Sequence, residues 1–74
     1  MKLKTIGGRI RMVRIRIAKQ SQESFAASVC MTQSNLSMIE QCHYLPSIML
    51  LYWIHTVWHI NINWLLTGEG EMVM

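Results

Sequence analysis

The amino-acid sequence predicts an all-α protein, a single compact domain of five short helices that spans residues 1–74. Apolar residues recur three or four positions apart along most of the chain, as they do on the buried face of a helix. Ser, Thr or Asn precedes four of these apolar runs, where a helix N-cap is expected. No segment alternates apolar and polar residues in the way that predicts a half-buried strand.

The first two helices are predicted over residues 6–19 and 22–29. Arginines occupy the faces that the apolar side chains of the first helix leave free, and those apolar side chains are Ile6, Ile10, Val13 and Ile17. Ser21 is the expected N-cap of the second helix. The buried side of the second helix is predicted to consist of Phe25, Ala26 and Val29.

Three further helices are predicted, the first over residues 33–41, the second from Pro46 and Ser47 to about Trp58, and the third over residues 62–66. Thr32 and Asn61 are the expected N-caps of the first and the last of these. Gly68 follows the last of them, as expected after a helix C-terminus.

Positive charge is concentrated at one end of the sequence. The seven cations all lie within the first 19 residues and are Lys2, Lys4, Arg9, Arg11, Arg14, Arg16 and Lys19, whereas the remainder carries four Glu. A basic segment of this kind is typical of a chain that lies against a polyanion such as DNA or an anionic membrane. The alternative is a solvated basic helix.

The acidic residues argue against most classes of enzyme. The chain has no Asp, and its carboxylates are widely separated in sequence, at Glu23, Glu40, Glu69 and Glu71. This predicts neither a carboxylate pair for acid/base catalysis nor an oxygen-rich site for magnesium or calcium. We therefore expect no enzymatic activity and no cofactor.

The cysteines and histidines are not spaced as in a zinc finger. Cys30 and Cys42 are separated by eleven residues rather than two to four, although His55 and His59 share one helical face. We expect no metal site. Two cysteines are too few to stabilise a secreted fold of this size, which favours reduced thiols in a cytoplasmic protein.

The main rival to a soluble domain is a membrane span. Residues 48–66 contain 14 apolar residues in 19 and no charge. Polar side chains interrupt this segment, however, with His55, Thr56, His59 and Asn63 on one helical stripe. We expect no membrane insertion.

Residues 22–41 have the pattern of two helices that cross closely. Ala26 is small enough for the third helix to pass over the second, and Leu36 and Ile39 fix that crossing from beneath. The outward face of the third helix is uncharged and rich in amide and hydroxyl groups.

At this point the sequence resembles the helix-turn-helix regulators of the phage-repressor, Cro and xenobiotic-response-element type. The residues that carry the resemblance are Ile6-Gly7-Gly8-Arg9-Ile10-Arg11, Ser21-Gln22-Glu23-Ser24-Phe25-Ala26, Gln33-Ser34-Asn35-Leu36-Ser37-Met38-Ile39-Glu40, Pro46-Ser47 and Asn63-Trp64-Leu65-Leu66-Thr67-Gly68-Glu69-Gly70. The resemblance implies a five-helix lambda-repressor-like DNA-binding domain with its helix-turn-helix at helices 2 and 3. It also implies a homodimer whose third helices enter the major groove of a pseudo-palindromic operator.

The resemblance also implies residue roles. Base-reading positions match Gln33, Ser34, Ser37 and Met38. Phosphate contacts match Arg9, Arg11, Arg14, Gln22, Asn35 and His43. The dimer contact of relatives corresponds to Ile62, Trp64 and Leu65. Trp53 stands where relatives are charged and exposed, which indicates a contact patch unless it is buried in a rearranged core.

The sequence departs from the family pattern in its turns. Cys30, Cys42 and His59 replace glycines at which the family's chain has positive φ. The connection between helices 1 and 2 is one residue longer than usual, and residues 41–45 lack the cations that relatives use on phosphate. These departures keep open an alternative function on the same fold, a protein-interaction module such as an antitoxin or antirepressor.

Overall fold

The computed structural model describes residues 5–74, and over this range the protein is all-α, as predicted. The helices are α1 (Ile6–Met12), which continues into a π-helical segment (Val13–Ala18), α2 (Gln22–Ser28), α3 (Gln33–Glu40), α4 (Ile48–Trp58) and α5 (Ile62–Thr67). Residues 5–74 contain no strand, only an isolated antiparallel bridge between Ile60 and Val73. The five predicted helices are confirmed, most with ends within a residue of the prediction.

Hydroxyl and amide side chains start every helix of the described range. Each cap accepts a hydrogen bond from a backbone N–H two or three residues on, and the three that the sequence predicted are Ser21, Thr32 and Asn61. Ser47, which was expected to open the helix together with Pro46, instead caps α4 in the same way. Thr5 does the same for α1, through the Gly8 N–H at 3.0 Å, and was not predicted. Each bond satisfies an N–H group that the first turn leaves without a partner.

The first helix differs from the regular helix predicted over residues 6–19. From Val13 it widens to π-helical turns, and Lys19 closes it with a φ of 55°. A π-helical turn holds more residues than an α-helical turn, so this segment ends differently from the regular helix that was expected. The Oε1 atom of Gln20 is buried next to this segment without a hydrogen-bond partner among residues 5–74.

Three turns have the left-handed backbone at the positions where glycine was expected. The φ angles are 58° at Cys30, 67° at Cys42 and 56° at His59. Residues with side chains therefore occupy these left-handed turns, at a cost of about 1 kcal/mol for each side chain.

The hydrophobic core lies where the helices converge. Its fully buried side chains are Ile10, Val13, Phe25, Val29, Leu36, Leu50, Ile54, Ile60 and Leu65. Ala26 and Ile39 are buried as predicted, with 1% and 2% of their surface exposed. Gly7 lies where α1 crosses α3, and a Cβ atom there would overlap the Ile39 carbonyl oxygen. This close approach fixes the position of α3 in the fold.

No helix within residues 5–74 is both long enough and apolar enough to cross a membrane.

In α4, the longest helix, Leu50, Leu51 and Ile54 are buried in the core. Trp58 stacks on Phe25 with ring centroids 5.9 Å apart and donates a hydrogen bond from Nε1 to Ser28 Oγ at 3.1 Å.

Candidate nucleic-acid interface

A shallow depression of about 430 Å³ lies on the outer face of α3. Its lining residues are Gln22, Gln33, Ser34, Ser37 and Met38. The structure thus brings together all four residues that were assigned to base reading, and with them Gln22 from the start of α2, to which a phosphate contact was assigned. Thr32 holds the first turn of α3 in place by accepting the Asn35 N–H at 3.2 Å.

The depression is polar but carries no formal charge. Gln33 and Ser34 are exposed, and their side chains make no hydrogen bond within residues 5–74, so their donors and acceptors are available to a ligand. Ser37 Oγ accepts a hydrogen bond from Gln41 Nε2 at 2.9 Å. Amide and hydroxyl groups of this kind match the edges of nucleic-acid bases.

An ion pair is hydrogen-bonded to Gln22, one of the residues that line the depression. Arg14 contacts both carboxylate oxygens of Glu40, with Nε–Oε2 at 2.8 Å and Nη2–Oε1 at 3.0 Å. Gln22 Nε2 donates to Glu40 Oε1 at 3.1 Å, which orients the Gln22 side chain. The Arg14 and Glu40 side chains are only 13% and 3% exposed. Arg14 therefore stabilises the fold. The phosphate contact predicted for it is wrong, because its guanidinium is already bound to a carboxylate.

The phosphate contact predicted for Arg9 is also wrong, because Arg9 is buried. It is 5% exposed, and its guanidinium donates from Nε to the Leu65 carbonyl at 2.7 Å and from Nη2 to the Leu66 carbonyl at 3.0 Å. These carbonyls belong to the C-terminal end of α5, where a positive charge is favourable. A buried Arg9 has no surface to offer to a phosphate.

Other cations of the described range are free to meet a polyanion. Arg11, Arg16 and Lys19 are exposed, and among them only Arg11 was assigned a phosphate contact. Lys19 was missed, although it ends the basic helix. Asn35 and His43 are exposed as their predicted role requires. Lys2 and Lys4 lie outside the described residues.

The predicted dimer contacts on α5 are mostly covered. Leu65 is fully buried and packs in the core, so its assignment to an interface is wrong. Ile62 and Trp64 are half-buried, and Trp64 packs against the core. Trp53 is likewise half-buried, with its ring edge-on to Tyr52 at a centroid distance of 5.2 Å.

A larger apolar surface lies elsewhere and was not identified from the sequence. We call it the apolar patch, and it consists of Tyr44, Leu45, Ile48, Met49 and Tyr52. Leu45 and Ile48 are 87% and 83% exposed. The only sequence signal for it was the charge-free stretch after residue 40.

The thiols and imidazoles do not assemble into a site. Cys30 and Cys42 are both free and exposed, and within residues 5–74 no three His, Cys, Asp or Glu side chains are close enough to hold a metal ion. The uncharged depression on α3 is therefore the candidate site.

The sequence and its fold match no family model, no curated protein and no solved structure.

Proposed function

We propose that this chain is a sequence-specific DNA-binding transcriptional regulator whose third helix enters the major groove. The observation that carries the proposal is the depression on α3, in which uncharged hydrogen-bonding groups gather on an exposed helix face. The basic first helix, with Arg11 and Arg16 exposed, supplies charge for the phosphate backbone. In DNA-binding proteins of this kind, phosphate contacts supply affinity and position the protein, whereas contacts to the base edges supply sequence specificity.

The arrangement of α2 and α3 supports a helix-turn-helix of the lambda-repressor-like class. The two helices pack on each other through buried Ala26 and Leu36, and a short turn with Cys30 in the left-handed region joins them. In that class the second helix of the motif lies in the groove with its N-terminal residues on the bases. Here those residues are Gln33 and Ser34.

The base-reading chemistry follows from the side chains. The Gln33 amide fits adenine, donating to N7 and accepting from N6 in a bidentate pair. Ser34 and Ser37 each carry a hydroxyl that donates or accepts. Met38 offers an apolar surface to a thymine methyl group.

The regulator is proposed to act as a homodimer on a pseudo-palindromic operator, as a cytoplasmic repressor of the phage or mobile-element type. Two-fold symmetry would place the two third helices about 34 Å apart, one turn of DNA. A dimer bound across a promoter would repress transcription sterically. 

A second candidate is a protein-interaction module on the same fold, such as an antitoxin or an antirepressor. The exposed apolar patch favours it, since large apolar patches on soluble domains mark contact surfaces. The loop at residues 41–45 also lacks Lys and Arg for a phosphate contact.

Selection of bound duplexes from a randomised DNA pool, at near-physiological salt, tests the proposal. We expect the chain to enrich a two-fold symmetric motif and the Gln33→Ala variant to lose preference at one base pair of each half-site, by about 10-fold to 100-fold. Asn63→Ala is the matched control, because it also removes an exposed helical amide but lies on α5. It should enrich the same motif as the parent chain.

Enrichment of no motif by folded protein would reject the proposal and favour the protein-interaction module. Enrichment of the same motif by Gln33→Ala would keep the DNA-binding function but remove Gln33 from the bases.

A further inference from the structure

The apolar patch is large enough to form an interface. Two of its side chains belong to the loop before α4 and three to the first turns of α4, so all five lie within nine residues of sequence at the start of that helix. From their exposed fractions of 48% to 87%, the five side chains present roughly 700 Å² to solvent, close to the ~800 Å² that each partner contributes to a standard interface.

The electrostatics of the patch favour an identical partner. From Gln41 to Gly68 the sequence contains no Lys, Arg, Asp or Glu. In a two-fold interface each residue near the axis faces its own copy, so any charge there would meet a like charge. An uncharged apolar strip avoids that repulsion and is complementary to itself. It gives a charged partner nothing to pair with.

The competing surface for a homodimer, on α5, is small. Leu65 is fully buried, Ile62 and Trp64 are half-buried, and Leu66 is the one large apolar side chain of α5 in the exposed class, at 47%. These side chains present less area than the five exposed side chains of the apolar patch.

We propose that the apolar patch is the surface on which a second copy of this chain docks, with Leu45 and Ile48 near the two-fold axis. The assignment rests on the proposed function only in that it supplies the homodimer which that function needs. Tyr44 follows the end of α3 by four residues, so the axis would lie beside the C-terminal ends of the two reading helices. Dimer formation would then set the spacing of the two α3 helices directly.

Introducing a charged side chain at Leu45 tests this assignment in the absence of DNA. Leu45 is an exposed loop residue, so a charged side chain there leaves the core intact. By sedimentation velocity we expect the parent chain to be dimeric at about 100 µM, and Leu45→Glu and Leu45→Lys each to weaken the dimer at least ~100-fold, because like charges would meet at the axis. An equimolar mixture of the two variants should recover the dimer.

Leu66→Glu is the matched control, since it places the same charge on the exposed side chain of α5 and should remain dimeric. A native far-UV circular dichroism spectrum and a cooperative melt establish that each variant is folded, while the melting temperature itself should fall in the variants that lose the dimer. A parent chain that is monomeric throughout, a Leu45→Glu variant that stays dimeric, a mixture that stays monomeric, or a dimer lost in Leu66→Glu would each overturn the assignment. Binding to lipid vesicles or to another protein by a monomeric parent would identify a different occupant of the patch.

The measurement separates this inference from the proposed function. A dimer that dissociates as expected but enriches no DNA motif would leave the interface standing and reject the regulator. A chain that enriches a symmetric motif while Leu45→Glu stays dimeric would support the regulator and reject the interface.

Discussion

Arg9 and Arg14 differ from Arg11 and Arg16 in what surrounds their guanidinium groups, although all four belong to one short helical stretch. Arg9 is buried against the carbonyls at the end of α5, and Arg14 is bound to Glu40 beneath the candidate site. Arg11 and Arg16 are exposed. A count of basic residues gives the total charge, but tertiary packing decides how much of that charge is left for a partner.

The two pairs of arginines contribute differently to the protein: one pair stabilises the fold, and the other gives the surface its positive charge. The two buried arginines join distant segments, since Arg14 links the first helix to α3 and Arg9 links it to α5. The exposed ones are free to bind phosphate. Variants that treat the two groups alike should therefore have different effects.

The largest expected effect is on stability, at Arg14. In Arg14→Met the Glu40 carboxylate, 3% exposed, would be left buried without its cation. We expect a loss of about 3 to 5 kcal/mol in the free energy of unfolding, which is most of the stability of a domain of this size, on the order of 5 kcal/mol. Chemical denaturation followed by circular dichroism measures it.

Arg16→Met is the control for the loss of an exposed cation, and its effect should stay within about 0.5 kcal/mol. The double variant Arg14→Met with Glu40→Leu should regain much of the loss, because neither buried charge remains. Equal effects of Arg14→Met and Arg16→Met would contradict the division between buried and free arginines.

The next effect concerns DNA affinity, at Arg11. If Arg11 and Arg16 of both copies contact phosphate, the logarithm of the binding constant should fall with the logarithm of the salt concentration at a slope of about −3.6. Arg11→Ala removes two of the four contacts and should reduce the slope to about −1.8. Titration of a labelled operator at several salt concentrations measures both slopes, and an unchanged slope would place Arg11 outside the interface.

Local features of the fold could be predicted from the sequence, whereas long-range ones could not. Three caps could be identified from the sequence, because a cap bonds to a backbone group two or three residues away, and they are Ser21, Thr32 and Asn61. The burial of Arg9 depends on carbonyls 56 residues further along the chain.

The candidate site shows the same contrast. The helical periodicity of α3 predicted that Gln33, Ser34, Ser37 and Met38 share one face. The ion pair that orients Gln22 could not be predicted, because Arg14 and Glu40 are 26 residues apart and Glu40 was not singled out as a site residue. The apolar patch was also missed, because its exposure depends on which face of α4 the core covers.

The smallest effect is expected at Lys19, an exposed cation that also ends the π-helical segment with a φ of 55°. In Lys19→Gly we expect the free energy of unfolding to rise by about 1 kcal/mol, because glycine adopts this conformation without the steric cost of a Cβ atom. Cys30→Gly, at a φ of 58°, is the matched control that relieves the same strain without removing a charge. Both variants should gain similar stability in chemical denaturation, but only Lys19→Gly should also flatten the salt dependence of DNA binding if Lys19 contacts phosphate. A gain in Cys30→Gly with a loss in Lys19→Gly would mean that the lysine side chain itself stabilises the end of the helix.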